Sequence, residues 1–152
     1  MALHIVLIEP EIPNNTGNIG RLALASGAEL HLVKPFGFEI NDTRLKRAGL
    51  DYWDHLPVHY YENSEAFFRK HEGKSMAFLS SHGASDYWDI PYEEDLFLIF
   101  GKESVGLPKT LLKKHIQHTY KIPIFSPHVR SLNLANAVSI VVYEGLNQLK
   151  HH

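Results

Sequence analysis

Short apolar segments alternate with helical ones along this chain, and that alternation constrains its fold more than any other feature. Residues 3–8 (LHIVLI) form an apolar run with β-branched members, which predicts a buried strand. Residues 16–26 then carry apolar side chains at helical spacing and precede Gly27, a typical residue after the end of a helix. Residues 28–34 predict a second strand, so the chain opens with a strand, a helix and a strand, a βαβ unit.

The alternation continues to the end of the chain and predicts one α/β domain over residues 1–150. Because it is typical of repeated βαβ units, we expect a mostly parallel sheet flanked by helices on both faces. A length of 152 residues also fits a single domain. The further strands are predicted at residues 75–81, 95–100 and 120–124, and the further helices at residues 41–49, 63–72, 108–115 and 133–149.

The composition excludes several classes of protein. The chain has no cysteine, which excludes disulfide frameworks, thiolate nucleophiles and cysteine-ligated zinc. A net charge of -2 excludes a globally basic nucleic-acid binder but leaves room for a local basic face. No apolar run approaches the roughly 18 residues that span a bilayer, so we expect a cytoplasmic protein without a membrane segment. His151 and His152 are set aside as candidates for the remnant of a purification tag.

Three polar loops, the first two of which contain glycine, follow predicted strands. Parallel strands end at one edge of a sheet, where the ligands of α/β proteins gather. We therefore expect these loops to lie together and to form a ligand site. Their sequences are PEIPNNTGNIGR (residues 10–21), GKESVGLP (residues 101–108) and PIFSPHVRSLNLAN (residues 123–136).

Each loop taken alone supports both a functional and a structural interpretation. Residues 14–21 (NNTGNIGR) suggest a phosphate-binding turn only weakly, because they match neither common glycine-rich phosphate motif. The guanidinium of Arg21 suits a phosphate, but an ordinary surface arginine fits equally well. Glu103 either caps a helix or orients a ligand. Ser131 or Asn133 either caps the last helix or lines a pocket of main-chain donors beside an arginine.

Histidine spacing predicts neither a metal centre nor a hydrolase. His55 and His59 are four residues apart, but Pro57 argues against the helix that would place them on one face. His115 and His118 have no carboxylate partner nearby in the sequence. The chain also lacks the G-x-S-x-G turn of serine hydrolases. We therefore expect no metal ion in the reaction.

Taken together and in order, the three loops resemble the three motifs of the SPOUT class of RNA methyltransferases. The first motif is Asn15 followed six residues later by Arg21, the second is GKESVGLP, and the third is RSLNLANAVSIVVYE (residues 130–144). The opening LHIVLIEPEIPNNTGNIGRLA and the segment KRAGLDYW (residues 46–53) more closely resemble the tRNA (cytidine/uridine-34-2'-O)-methyltransferases, the TrmL or YibK subfamily. The resemblance covers essentially the whole chain.

The resemblance implies a cofactor, a fold and a dimer. It implies an α/β fold whose C-terminal part, roughly from Ser75 onward, forms a trefoil knot, and a homodimer that uses the last helix and the first loop. The cofactor is S-adenosyl-L-methionine, held bent between the knot loops, while Glu103 and Asn133 support those loops. The residues that hold the cofactor by motif position are Leu79, Gly101, Ile122, Ser131 and Leu132, with Glu103 and Asn133 beside them.

The implied reaction is 2'-O-methylation of the ribose at position 34 of tRNA, on cytidine or modified uridine. The implied catalytic residues are Arg21, Asn15 and Tyr143. Because arginine stays protonated in proteins, we expect Arg21 to bind a phosphate and to stabilise charge on the 2'-oxygen, with the phosphate or a water taking the proton. For Tyr143, packing of the last helix is an equal alternative. Two functional alternatives also remain: methylation at another tRNA or rRNA site, and a non-catalytic dimeric module that binds RNA or a nucleotide.

An RNA surface for the anticodon stem-loop is predicted from basic and aromatic residues. A local basic patch would attract phosphates despite the acidic total. Tyr52 and Trp53 would stack on exposed bases, and burial is the alternative for either ring. The basic residues of the predicted patch are Lys34, Arg44, Lys46, Arg47 and Arg130, joined by His128.

Overall fold

The computed structural model describes residues 2–39 and 50–150, and a parallel sheet forms its centre. Within these residues the sheet has seven strands in the order β3-β2-β1-β6-β4-β7-β5. The strands are β1 (His4–Ile8), β2 (Glu29–Val33), β3 (Val58–Tyr61), β4 (Met76–Leu79), β5 (Ser85–Asp86), β6 (Phe97–Phe100) and β7 (Thr119–Lys121). The helices are α1 (Pro13–Ser26), α2 (Ser64–Lys70), α3 (Lys109–Lys114) and α4 (Leu134–Lys150), and short 3₁₀ helices cover Leu50–His55, Tyr87–Asp89 and Ile116–His118.

Helices cover both faces of the sheet, which confirms the predicted α/β class. Side chains of a strand point alternately to opposite faces, so Ile5 and Leu7 pack under α1 and α4 while Val6 and Ile8 pack on the α2 side. Ile19 of α1 and Val138 of α4 complete the first core. The second core includes Phe67 of α2, Phe78 and Leu107. Burial on both faces explains why the strands are continuous apolar runs.

The register of the sheet brings the carboxyl ends of three strands together. Leu79, the last residue of β4, is paired with Phe100 of β6 and with Tyr120 of β7. Phe100 is also paired with Leu7 of β1. The loops after β1, β6 and β7 therefore begin at one edge of the sheet, as predicted.

Several element boundaries differ from the prediction. Helix α1 begins at Pro13 rather than at residue 16, since a proline fits the first turn of a helix. Gly20 therefore lies inside the helix, where an added Cβ would come within 2.6 Å of the Trp53 ring, so it serves packing and not a phosphate turn. Strand β3 was not predicted. Strand β7 ends at Lys121 because Pro123 cannot continue a hydrogen-bonded ladder.

Two expectations about the chain lie beyond these observations. The helix predicted at residues 41–49 falls outside the described residues. The knot depends on how the C-terminal part threads through its own loops, which strand order does not specify, so the knot stays a prediction.

Across residues 2–39 and 50–150, no helix combines the length and the apolar character that a membrane crossing requires.

A chain of hydrogen-bonded rings lies in the core on the α2 side. His4 Nδ1 lies 2.8 Å from His31 Nε2, and His31 Nδ1 lies 2.8 Å from the Tyr61 hydroxyl. That hydroxyl lies 2.9 Å from Nε2 of His71, just after α2. Burial lowers the pKa of His31 to about 2 and also lowers the pKa values of His4 and His71. The imidazole of His31 is therefore neutral at physiological pH.

This buried histidine predicts acid lability. A lowered folded-state pKa means that the unfolded chain binds more protons, so stability is full above the unfolded pKa of 6.5 and is lost as the pH falls toward 2. His31 is 2% exposed, so we expect His31 alone to lower the free energy of unfolding by about 1.4 kcal/mol for each pH unit below 6.5, with His4 and His71 adding to the slope. Urea titrations between pH 4.5 and 8 with a chelator present measure this slope.

The matched control is His31→Gln, which removes one titrating ring and should make the slope shallower by the share of His31. Equal slopes for the two proteins below pH 6.5 would contradict the assignment of the acid lability to His31.

Candidate active site

The carboxylate of Glu103 joins the loop after β6 to the start of α1. Its oxygens accept hydrogen bonds from the backbone N–H of Glu11 at 2.8 Å, from that of Ile12 at 2.9 Å and from the side-chain amide of Asn15 at 3.3 Å. Ile12 is the N-cap residue of α1 and offers no side-chain cap. The first N–H groups of a helix need acceptors and favour a negative charge. Glu103, 91 residues further along the chain, supplies both.

Two more contacts connect the same pair of loops. The Ser104 N–H donates to the Glu11 carboxylate at 2.8 Å, and this hydrogen bond lowers the pKa of Glu11. Lys102 Nζ lies 3.2 Å from Oε1 of Glu9. Glu9 has a φ of 55°, an uncommon left-handed conformation for a residue other than glycine, directly after β1. Charged side chains of both loops therefore take part in the contacts that hold the first loop to the second.

Asn15 connects the third loop to the first two. Its side-chain oxygen accepts a hydrogen bond from the Asn133 amide at 3.1 Å, across 118 residues of sequence. Asn133 in turn accepts from the N–H of Asn136 at 3.3 Å, so it also caps the start of α4. Asn15 itself is 7% exposed. We call the hydrogen-bonded series Glu103, Asn15 and Asn133 the three-loop network.

The backbone packs closely at Gly101, the first residue after β6. A Cβ added there would lie 2.2 Å from the carbonyl carbon of Gly106 and 2.2 Å from the nitrogen of Leu107. Lys102 and Gly106 also form an antiparallel bridge, with the Gly106 N–H donating to the Lys102 carbonyl at 2.9 Å. Only glycine fits at position 101, because the obstructing atoms belong to the main chain of a folded-back loop.

The residues predicted to hold the cofactor lie at or beyond neighbouring strand ends. Leu79 ends β4, Gly101 follows β6, and Ile122 follows β7. Ser131 and Leu132 are exposed just before α4. A cleft of about 390 Å³ opens beside this edge. Its lining includes Ser81, Trp88, Lys121, Ile122, Phe125 and Arg130.

A larger cleft of about 730 Å³ lies elsewhere, between α2 and α3 at the start of β4. It is lined by residues such as Phe68, Met76 and Leu111 and by none of the predicted site residues. Cleft size alone therefore does not indicate the site. The loop contacts and the strand ends do, because they bring together polar groups from distant parts of the chain.

The three-loop network contains one predicted catalytic residue, Asn15, but neither Arg21 nor Tyr143. Arg21 is exposed, with its guanidinium carbon 5.3 Å from the centroid of the Tyr52 ring. Asn15 and Arg21 are six residues apart in α1, which separates their directions by about 120° at 3.6 residues per turn. Tyr143 lies on α4 with 49% of its surface exposed.

The predicted RNA surface is only partly described. Lys34 Nζ lies 3.3 Å from the Glu62 carboxylate, and Arg130 lies in the smaller cleft with Lys121. Trp53 packs against the core beside Gly20, which favours the burial alternative for that ring. The remaining basic residues of the patch, Arg44, Lys46 and Arg47, lie outside the described residues.

Sequence reasoning missed the contributions of Glu9, Glu11 and Lys102. Their contacts connect the first loop to the second, 92 and 93 residues away for Glu11. No local pattern distinguishes these charged residues from ordinary surface residues. One signal was available in the sequence. Both loops follow predicted strands, so charged residues of opposite sign in the two loops were candidates for contact.

The Glu103 carboxylate predicts a measurable contribution to stability. In Glu103→Ala, three donors around the start of α1 lose their acceptor, so we expect the free energy of unfolding to fall by about 2 kcal/mol. Chemical denaturation measures the change, and Glu94→Ala, in the exposed loop before β6, is the control with little expected effect. A change of the same size in both variants would contradict the role assigned to Glu103.

Two known proteins are similar to this chain over nearly its whole length. A candidate tRNA (cytidine(34)-2'-O)-methyltransferase of Listeria monocytogenes serotype 4b (strain F2365) is 46% identical over 97% of this chain and 89% of its own length. A solved structure from work on 2-OH methylation of C/U34 on tRNA has a TM-score of 0.94 and 42% identity, and the match covers 99% of this chain and 98% of that one.

A cofactor-bound structure is also similar. An AdoMet-bound rRNA methyltransferase from Sinorhizobium meliloti has a TM-score of 0.85 and 29% identity, and the match covers 97% of this chain but 57% of that one. The model of the SpoU rRNA methylase family matches residues 2–143, nearly the whole described chain. With that match and near full-length relatives above 40% identity, the chain belongs to the SpoU rRNA methylase family.

Proposed function

We propose that this chain transfers the methyl group of S-adenosyl-L-methionine to the ribose 2'-oxygen at position 34 of tRNA, on cytidine or modified uridine. The observation that carries the proposal is the three-loop network, in which Glu103, Asn15 and Asn133 hold the motif-bearing loops at one edge of the sheet. Family membership and the near full-length relatives support the same reaction. With tRNA as the substrate, the reaction takes place in the cytoplasm.

The cofactor site consists of the strand ends and the loops that follow them. Leu79, Gly101 and Ile122 supply main-chain groups along the edge of the sheet, and Ser131 and Leu132 close the site from the third loop. The absence of a side chain at Gly101 lets the second loop fold closely. Glu103 and Asn133 complete the cofactor-binding set by holding these loops in place. Residues 1–150 form this methyltransferase domain, knotted from about Ser75 onward.

The chemistry is an in-line displacement, for which the cofactor supplies an electrophilic methyl carbon bound to sulfur. The 2'-oxygen forms a bond to that carbon as the carbon–sulfur bond breaks, and the hydroxyl proton passes to a phosphate or a water. Arg21 binds the nucleotide phosphate and stabilises the charge that develops on the 2'-oxygen. Its exposed position on α1 leaves the guanidinium accessible to an RNA backbone. Tyr143 positions the nucleotide, and no metal is needed for this step.

The active form is a homodimer in which α4 and the first loop meet their counterparts. Ile140 and Tyr143 on α4 and Ile12 before α1 are apolar or aromatic side chains exposed in the single chain. Exposed apolar groups that lie near one another are typical of surfaces that become buried on association. The RNA partner is the anticodon stem-loop, which presents position 34 in a single-stranded loop where protein side chains can reach it.

The test is incubation of the purified protein with labelled S-adenosyl-L-methionine and bulk tRNA and rRNA, followed by nucleoside mapping. Label on the ribose of position 34 supports the proposal. Label at another tRNA or rRNA position replaces the substrate assignment. Cofactor uptake without transfer to any RNA, or no uptake by calorimetry, overturns the assignment as an enzyme and leaves the dimeric binding module.

A further inference from the structure

A second group of polar side chains lies at the opposite end of the sheet from the three loops. His4 begins β1, and Glu29 and His31 lie on β2, where the register pairs His4 with Glu29. Glu29 and His31 are two residues apart, so they point to the same face. Strand β1 has five residues and spans roughly 13 Å, so its first residue is well separated from the loop at its end.

The ligand atoms of these three side chains converge. One ring nitrogen of His4, one of His31 and a carboxylate oxygen of Glu29 all lie within 4.8 Å of one another. His4 Nδ1 and His31 Nε2 are 2.8 Å apart. Two ligands bound to one tetrahedral zinc at about 2.1 Å are roughly 3.4 Å apart, so small side-chain movements suffice to admit an ion.

The remaining ring nitrogens already have the partners that ligating histidines use. His4 Nε2 lies 3.5 Å from the Asp95 carboxylate, and His31 Nδ1 lies 2.8 Å from the Tyr61 hydroxyl. A ligating histidine commonly donates its second N–H to a carboxylate or another oxygen, which fixes the orientation of the ring. These contacts leave His4 Nδ1 and His31 Nε2 facing each other, 2.8 Å apart.

The hydrogen-bonded chain also provides a route for the proton that occupies the site. One nitrogen of the pair formed by His4 Nδ1 and His31 Nε2 carries a proton, whereas a metal needs both lone pairs. If His31 carries its proton on Nδ1, it donates to the Tyr61 oxygen, and Tyr61 donates to His71 Nε2 at 2.9 Å. When the ion binds, the proton of His4 moves from Nδ1 to Nε2, which faces the Asp95 carboxylate. The ligand pair is then free of protons without either imidazole gaining charge.

We propose that His4, His31 and Glu29 bind one zinc ion or another divalent transition-metal ion that prefers the same ligands. Two imidazoles and one carboxylate are a common zinc set and leave a position open for water, whereas magnesium and calcium prefer oxygen ligands alone. Solvent reaches the site through Glu29, whose side chain is 34% exposed and lies 2.7 Å from Nε2 of the half-exposed His59. His59 stacks on His31 with centroids 4.7 Å apart and borders the entrance.

This inference revises the expectation that the chain has no metal site. That expectation considered histidines close together in sequence, such as His55 with His59. The proposed ligands come instead from two adjacent strands, and they become neighbours through strand pairing. The site is structural or regulatory, because it lies at the end of the sheet remote from the predicted cofactor residues. It therefore does not depend on the proposed methyl transfer.

Cobalt(II) titration tests the proposal, because its visible absorption distinguishes tetrahedral from octahedral coordination. Every sample carries His151→Ser and His152→Ser, since adjacent terminal histidines also bind such ions. We expect one equivalent of cobalt with an intense tetrahedral spectrum, displaced by one equivalent of zinc. His4→Gln and Glu29→Gln should each weaken binding tenfold or more, and the exposed His55→Gln should leave it unchanged.

Thermal unfolding with and without zinc is a second measurement of binding, and it remains informative if a variant is less stable than the parent. Zinc should raise the midpoint of unfolding of the parent protein and of His55→Gln, but not that of His4→Gln. Affinity for S-adenosyl-L-methionine should be the same in all of these proteins. An octahedral spectrum, no bound cobalt, or equal metal affinity in the parent, His4→Gln and Glu29→Gln would overturn the proposed site.

Discussion

Replacing Arg21 with alanine is expected to lower kcat about a hundredfold or more while the affinity for S-adenosyl-L-methionine stays within a few-fold of the parent value. The guanidinium stabilises charge that is greater in the transition state than in the bound substrate, and removing one such donor typically costs a factor of 100 to 1,000, about 3–4 kcal/mol. Single-turnover methylation of tRNA measures the rate, and calorimetry measures cofactor binding.

Two further variants separate this role from a general loss of positive charge. Arg21→Lys keeps the charge but loses the planar fork that grips a phosphate through two hydrogen bonds, so we expect it to recover little of the rate. Arg69→Ala removes an exposed arginine from α2, paired with Glu65, and should leave turnover unchanged. Near-normal turnover in Arg21→Ala, with cofactor still bound, would remove Arg21 from the mechanism.

Replacing Gly101 with alanine is expected to destabilise the protein by about 3 kcal/mol and to abolish cofactor binding. The new methyl group would lie 2.2 Å from main-chain atoms of Gly106 and Leu107, so the loop from Gly101 to Leu107 must move as a unit. Glu103 belongs to that loop, and its movement would separate the carboxylate from the start of α1. Chemical denaturation and calorimetry measure the two effects.

Gly73→Ala is the matched control for this substitution. Gly73 has a φ of +83°, which strains any other residue, but no atom that an added Cβ would meet lies within 4 Å. We therefore expect a loss of about 1 kcal/mol and unchanged cofactor binding. If Gly101→Ala behaves like Gly73→Ala, the close packing after β6 is not required for the site.

The elements that sequence reasoning predicted well have strong local signals. Residues 3–8 combine β-branched and leucine side chains in a run of strand length, and β1 occupies His4–Ile8. Gly27 was expected to follow a helix, and its φ of 76° ends α1 in the left-handed conformation. Strand β3 was missed because VHYY is short and its polar His59 interrupts the apolar pattern. His59 and Tyr61 face the buried histidine chain, so their residue types reflect distant partners.

The site was predictable only in outline. Recognition of three ordered motifs identified the loops, and the parallel order of strands predicted that they would converge. Glu103 was expected to cap a helix or to orient a ligand, and it lies at the N-terminus of α1, a helix from another part of the chain. Residues 14–21 matched a phosphate-binding turn only weakly, and they lie inside α1, which begins at Pro13 and contains both glycines. The cofactor and catalytic roles stay predictions that the variants above address.

Side-chain periodicity and turn residues were sufficient to specify an α/β chain with loops at the strand ends, because these signals act over a few residues. The contacts between Glu103 and Ile12, Asn133 and Asn15, and His4 and His31 depended on folding, since they join positions 91, 118 and 27 residues apart. Such pairs meet only after strand order and register are set. Short-range preferences do not specify strand order or register. Both are determined when the apolar side chains of the two cores are buried.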